Sequence, residues 1–245
     1  MSLEKLKPKF IILGIDPWVF NENSGQSRWQ SIKNEYAYGK QLTGNTSYSS
    51  KPSQSLDEPG RLSQLLNYSY TRAAATLLIS RLIGHEFVEL ATTDEAPVRG
   101  ILRRPDGSIV YDQDMEALSQ EQVEKQAITY SNPPVYSLQN FKWSKPAASL
   151  LEDLLLYLSR HTSVVIFLPP YHPITYASIS DKYFLREVEA SIRTIATKHN
   201  TRIVGSFNPV LSNCIGSDFY DGMHPKNACM LKIFEDFRSA VKETP

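Results

Sequence analysis

Apolar residues along this chain form two patterns, short continuous runs and longer amphipathic stretches. The short runs are rich in β-branched residues and end at glycine or proline, which predicts buried strands at residues 10–13, 163–168 and 201–204. Apolar residues that recur every three or four positions predict helices at residues 60–83, 146–160, 179–198 and 225–241. Helices and strands alternate in the second half of the chain, and this order is typical of an α/β protein with a parallel sheet.

The order of these elements also predicts where a binding site lies. Right-handed crossovers bring the carboxyl ends of parallel strands to one edge of the sheet, and open α/β sheets bind their ligands there. The loops that follow Leu13, Leu168 and Val204 are therefore expected to meet. We predict a single α/β domain over residues 1–245, a three-layer, flavodoxin-like sandwich with a parallel sheet of about five strands.

The middle of the chain departs from this pattern. Residues 38–60 are rich in Ser, Gly, Asn, Thr and Pro, which predicts a long exposed loop. The turn sequence RRPDG at 103–107 lies between two short apolar runs and predicts a β-hairpin. A polar helix is predicted over 114–128. We interpret 85–140 as an inserted hairpin and helix segment, or a lid-like subdomain, within the domain.

Composition and charge exclude some classes of function. The chain has 26 Lys and Arg residues and 26 Asp and Glu residues, so its formal net charge is zero. Nucleic-acid binding needs clustered basic residues, and the sequence has no basic run of that kind. No apolar run reaches the roughly 18–20 residues that cross a bilayer, and residues 1–9 have no signal-peptide core. We expect neither a nucleic-acid partner nor a membrane span in this chain.

The two cysteines, Cys214 and Cys229, leave two alternatives open. They lack the C-x-x-C spacing typical of a zinc site. They can form a disulfide in an oxidising compartment, or they can remain two free buried thiols.

Asp221 and His224 are the strongest candidates for chemistry. They lie three residues apart, directly before the last predicted helix. A carboxylate in the same turn as a histidine can hydrogen-bond the ring, fix its tautomer and stabilise the imidazolium. The structural alternative is that Asp221 caps the helix and His224 is an ordinary surface residue.

Three segments together resemble the SGNH (GDSL-like) hydrolase superfamily. They are the FYDGMHP block at 219–225, the PPYHP sequence at 169–173 after a buried strand, and the first strand with its terminal Gly14. The resemblance covers about residues 8–25 and 145–243, and is greatest to the branch of bacterial cell-envelope acyl-transfer and esterase proteins. It implies action on acyl or acetyl esters of an envelope polysaccharide. It also implies a periplasmic or extracytoplasmic location, with any anchor or signal outside this chain.

The resemblance also implies residue roles. Family members use a Ser–Asp–His triad with an oxyanion hole. His224 then corresponds to the general base, Asp221 orients it, and Gly14 matches the oxyanion glycine. Asp16 stands where the family has its nucleophilic serine. We therefore expect Asp16 to place a water or an acceptor hydroxyl that His224 activates.

The remaining candidates concern binding. Trp18, Tyr171 and His172 are predicted to line the substrate pocket with Gly14, and ordinary core packing is the alternative for the aromatic residues. The acidic and histidine residues match no standard metal spacing, so no metal and no cofactor is expected.

Two classes of function follow from these residues. The first is an ester hydrolase or O-acyltransferase that takes a small-molecule or glycan ester. The second is a catalytically degenerate module of the same fold that binds a glycan or an envelope-biosynthesis partner. A plain α/β domain, in which the motif arises by chance, is the third and weaker interpretation.

Overall fold

The computed structural model describes residues 8–24, 33–43, 102–103, 109–131, 138, 140–182 and 184–242, and the structural statements below concern these residues. The chain divides into two compact units. One comprises Met1–Tyr48 with Leu118–Pro245, and the other is Ser49–Ala117.

The described residues contain five strands and seven α-helices. The strands are β1 Phe10–Gly14, β2 Leu102–Arg103, β3 Ile109–Val110, β4 Ser163–Leu168 and β5 Arg202–Gly205. The helices are α1 Lys33–Leu42, α2 Gln113–Glu116, α3 Gln120–Ser131, α4 Lys145–Ser159, α5 Pro173–Ile179, α6 Leu185–Lys198 and α7 Asn227–Lys242.

A parallel sheet with β4 at its centre forms the core of the first unit. Strand β1 pairs with one side of β4, where Gly14 lies opposite Phe167, and β5 pairs with the other, where Leu168 lies opposite Gly205. The predicted α/β class and parallel sheet are confirmed. Three of the roughly five expected strands lie in the described part of the chain.

Helices cover both faces of this sheet. Ile166 and Leu168 belong to an apolar cluster with α4 and α6, whereas Val165 and Phe167 belong to a second cluster with α7. Successive strand residues point to opposite faces, so each face of β4 has its own core. Complete burial of one such side chain is worth about 1.5–3 kcal/mol, which favours the continuous apolar sequence of β4 from Val164 to Leu168.

The helices that position the site differ in places from the sequence prediction. The helix predicted over 179–198 begins later, at Leu185, because Phe184 directly before it has a left-handed backbone with φ of 57°. A separate helix, α5, ends at Ile179. The polar helix predicted over 114–128 is two helices, α2 and α3. Ser119 Oγ accepts a hydrogen bond from the Gln122 N–H, and the Gln122 side chain accepts one from the Ser119 N–H. This capping box starts a new helix.

One other predicted boundary needs correction, because helix α1 occupies the start of the loop predicted at 38–60. The insertion at 85–140 stays a prediction, and the compact unit Ser49–Ala117 overlaps part of it. The predicted hairpin is confirmed, since Arg103 pairs with Ile109 in an antiparallel ladder. The helix predicted at 60–83 lies outside the described residues.

A buried carboxylate fixes the loop that follows β5. Glu189 on α6 accepts hydrogen bonds from Ser206 Oγ at 2.8 Å and from the Phe207 backbone N–H at 3.0 Å. Arg193, one turn further along α6, bonds both Glu189 and the Gly205 carbonyl. A buried charge that is paired and hydrogen-bonded holds its partners firmly, because leaving it unpaired is costly.

Gly205 ends β5 in a conformation that only glycine adopts easily. Its φ is +76°, and a Cβ atom there would lie 2.4 Å from the Leu168 carbonyl oxygen. We expect Gly205→Ala to lower the free energy of unfolding by about 2–4 kcal/mol, measured by urea denaturation. Gly39→Ala in α1 is the control. A Cβ at Gly39 meets nothing within 4 Å, so this change is expected to be neutral or to stabilise by up to about 1 kcal/mol. Equal stability of Gly205→Ala and the wild type would contradict this account.

Candidate active site

Asp221 and His224 form a hydrogen-bonded pair in the loop before α7. The distance from His224 Nδ1 to Asp221 Oδ2 is 2.8 Å. The Asp221 side chain is 5% exposed, whereas the His224 side chain is 47% exposed. The carboxylate is therefore buried behind an imidazole that reaches solvent, and this is the arrangement in which a carboxylate orients a base.

Four hydrogen bonds hold the Asp221 carboxylate. Its Oδ1 accepts from the backbone N–H groups of Met223, at 2.7 Å, and His224, at 2.9 Å. Its Oδ2 accepts from the Tyr130 hydroxyl at 3.1 Å as well as from His224. Both oxygens are thus occupied, and the side chain has little freedom to rotate.

The pair has pKa shifts in opposite directions. Burial acts to raise the pKa of Asp221, but the hydrogen bonds from His224 and from the backbone outweigh it and lower the pKa below its ordinary value. The hydrogen bond to Asp221 raises the pKa of His224 above its ordinary value, against the effect of burial. The Asp16 charge raises it further. The imidazolium form is therefore stabilised in this site.

Asp16 lies in the loop directly after β1. Pro17 starts a short 3-10 helix, Pro17–Phe20, and so ends the strand at this point. Burial raises the pKa of Asp16 to about 6, and the charge of His224 acts to lower it. The charges of Asp16 and His224 therefore act on each other across the loops after β1 and before α7, and a shared site for the two residues stays a prediction.

Tyr171 and His172 lie below the surface. Tyr171 is 4% exposed, and burial followed by the charge of Asp16 raises the pKa of its hydroxyl well above the ordinary value. His172 is 1% exposed, packs edge-on against Phe219, and accepts a hydrogen bond from the Ile174 N–H at the start of α5. The burial of Tyr171 and His172 favours a structural role beneath the site. Their contact with a substrate stays a prediction.

Gly14 and Trp18 flank Asp16 in the chain. Gly14 is the last residue of β1, and a Cβ atom there would meet only the Phe167 ring, at 3.9 Å. Trp18 is half-buried and packs against the main apolar cluster. Steric crowding therefore does not require glycine at position 14, and the predicted roles of both residues in binding stay open to test.

Sequence reasoning missed Tyr130 as a site residue. It lies on α3, 91 positions before Asp221, and no local pattern links the two. Gly222 allows the approach, because a Cβ atom there would lie 2.7 Å from the Tyr130 Cβ and 2.7 Å from Thr175 Oγ1. The only sequence signal is a glycine inside the DGMHP block, which is consistent with a close contact.

A disulfide joins Cys214 and Cys229, with a Cα–Cα distance of 5.3 Å. Of the two alternatives left open by the sequence, the structure has the bonded one. It links the loop after β5 to the first turns of α7. In the same region Asp218 accepts hydrogen bonds from Lys232 on α7 and from the Ile215 N–H. The segment that leads to Asp221 is therefore linked to α7 by the disulfide and by the bond between Asp218 and Lys232.

In the part of the chain that the structure describes, no helix is both long and apolar enough to cross a membrane. No cluster of three or more metal-ligating side chains occurs among those residues. Comparison of this chain with family models, with curated proteins and with solved structures finds no match.

The raised pKa of Asp16 predicts a pH-dependent cost to stability. In the folded protein the pKa of the Asp16 carboxyl is about 6, whereas in the unfolded chain it has the ordinary value of 3.8. The folded state therefore binds more protons between these values, and the free energy of unfolding falls as pH rises through this window. Asp16→Asn removes the cost, so at pH 8 we expect a stabilisation of about 2–3 kcal/mol.

Urea denaturation at pH 8 and at pH 4 measures this effect. The stabilisation by Asp16→Asn is expected to shrink below about 1 kcal/mol at pH 4, where the folded wild-type carboxyl is already protonated. Asp181→Asn serves as the control, because the Asp181 side chain is 76% exposed. An Asp16→Asn protein that is no more stable than the wild type at pH 8 would show that the carboxyl bears no burial cost.

Proposed function

We propose that this protein is an SGNH-like ester hydrolase or O-acyltransferase that acts on acyl or acetyl esters of a cell-envelope polysaccharide. The observation that carries the proposal is the 2.8 Å hydrogen bond between Asp221 and a half-exposed His224. Because Nδ1 donates its proton to Asp221, Nε2 carries the lone pair that can act as a base. The resemblance of the DGMHP and PPYHP sequences to that superfamily supports the choice of ester chemistry.

The proposed reaction needs one proton transfer in each direction. His224 Nε2 takes a proton from a water or an acceptor hydroxyl, and the oxygen forms a bond to the ester carbonyl carbon. The tetrahedral intermediate then breaks its bond to the leaving alkoxide, which takes the proton back from the imidazolium. Asp221 stabilises the imidazolium while it exists. The products are an alcohol and either a carboxylic acid or a new ester.

Asp16 has the role of placing the attacking group. Its carboxyl is largely buried and acts on His224 through its charge. Above its pKa of about 6 it is an anion that accepts a hydrogen bond from a water or a hydroxyl. Direct attack by Asp16 on an ester would give an anhydride, so a placing role is chemically simpler than a nucleophilic one.

The wider fold and the location belong to the same proposal. We assign the chain to a flavodoxin-like, three-layer sandwich in one domain, with about five parallel strands, of which three are described. The Cys214–Cys229 disulfide supports an extracytoplasmic location, because disulfides persist in oxidising compartments.

A binding module is the second candidate function. Asp16 favours it, because the family resemblance places a nucleophilic serine at that position. In this alternative the half-exposed His224 and the Asp16 carboxyl offer hydrogen bonds to a glycan or to a partner protein.

Hydrolysis of an aryl acetate and of an acetylated polysaccharide tests the enzymatic proposal. We expect His224→Gln and Asp221→Asn each to lower kcat/KM by roughly a thousandfold, because the base or its orienting carboxylate is lost. Asp16→Ser is expected to keep or raise the hydrolysis rate, since it supplies the family nucleophile. His161→Gln is the control, because the His161 side chain is exposed and its one described hydrogen bond is to the Tyr157 carbonyl of α4.

Two results would overturn the enzymatic proposal. The first is a wild-type protein that hydrolyses neither ester but binds the polysaccharide, which supports the module. The second is activity that survives His224→Gln unchanged, which places the chemistry elsewhere.

A further inference from the structure

Helix α3 brings one tyrosine into the site from a distant part of the chain. The Tyr130 hydroxyl donates to Asp221 Oδ2 at 3.1 Å, and this oxygen also accepts the hydrogen bond from His224 Nδ1. The other carboxylate oxygen binds only backbone N–H groups among the contacts described. Tyr130 is therefore a side chain that competes directly with His224 for the same acceptor atom.

The packing around Tyr130 holds it at this point. Thr175 Oγ1 on α5 donates to the Ala127 carbonyl of α3 at 3.0 Å. The backbone N–H of His172, which caps α5, donates to the Gly222 carbonyl at 3.1 Å. Helix α3, helix α5 and the loop of Asp221 thus form one connected group, and Gly222 leaves the space in which Tyr130 approaches.

We propose that Tyr130 is a positioning residue that fixes the Asp221 carboxylate through this hydrogen bond and limits how strongly the carboxylate stabilises the His224 imidazolium. The physical reason is that a donor on Oδ2 draws negative charge away from the bond to His224. Without the Tyr130 hydroxyl, His224 Nδ1 is the one side-chain donor left to Asp221 Oδ2 among the contacts described, so the carboxylate stabilises the imidazolium more strongly. Tyr130 thereby keeps the base of the proposed reaction deprotonated to lower pH, and its catalytic consequence rests on the proposed function.

Several other charged groups lie near Asp221 and His224. The charge of Asp16 acts on His224 from the loop after β1, and the charges of Asp221 and Glu124 act on His172. The basic residues next in the chain have their own contacts. Lys226 lies 5.4 Å from the centre of the Tyr220 ring, and Lys232 bonds Asp218. The substitution Tyr130→Phe leaves all of these side chains in place, so the charges they carry are common to both proteins.

The test is an NMR titration of the His224 ring in Tyr130→Phe, with Tyr157→Phe as the matched control. Tyr157 lies on α4, where its ring packs against His161. We expect Tyr130→Phe to raise the His224 pKa by about 0.5 unit and the control to leave it unchanged. If the protein hydrolyses esters, the acid limb of the kcat/KM profile should move by the same amount, which is about a threefold loss of rate at low pH.

A double-mutant cycle separates positioning from general packing. In an Asp221→Asn background the hydroxyl has no charged acceptor, so adding Tyr130→Phe should not change the His224 pKa. A shift of equal size in both backgrounds, an unchanged His224 pKa in Tyr130→Phe, or a lowered one would each overturn the proposal. The titration does not depend on esterase activity, so failure of the proposed function and failure of the Tyr130 proposal give different results.

Discussion

The rest of the site depends on the hydrogen bonds that surround the Asp221 carboxylate. A buried carboxylate is costly unless its oxygens are satisfied, and here two backbone N–H groups, one imidazole and one phenol supply four bonds. The local loop provides three of these donors, since Met223 and His224 follow within one turn. The fourth, Tyr130, comes from a helix far away in sequence. Satisfying one carboxylate therefore joins α3 to the loop before α7.

The surrounding structure keeps that loop in place from several sides. The disulfide of Cys214 and Cys229 ties the preceding segment to α7, and Glu189 ties the end of β5 to α6. Gly205 and Gly222 allow two backbone approaches that any larger residue would block. Because these contacts hold the loop at several points, the position of the His224 backbone is set by the surrounding fold. Such preorganisation is what a general base requires.

Local features of the fold and site follow from the sequence, whereas distant ones do not. The strands around Ile166 and Ile203 and the pairing of Asp221 with His224 depend on neighbours within a few residues, so periodicity and spacing predict them. The contact of Tyr130 with Asp221 spans 91 residues, and the break before α6 depends on a left-handed Phe184 that no propensity favours. Tertiary packing decides both, and a single sequence carries no record of it.

The two carboxyl groups near His224 have opposite pKa shifts, and this contrast bears most directly on function. Asp221 has few degrees of freedom and four donors, so its pKa is lowered and it stays ionised. Asp16 has no side-chain hydrogen bond at the start of its 3-10 helix and is mostly buried, so its pKa rises to about 6. When the pKa values of two acids beside one histidine are shifted in opposite directions, the two acids are suited to different roles in proton transfer. In the proposed reaction Asp221 stays ionised and orients His224, whereas the charge of Asp16 changes near pH 6 and alters how strongly His224 holds its proton.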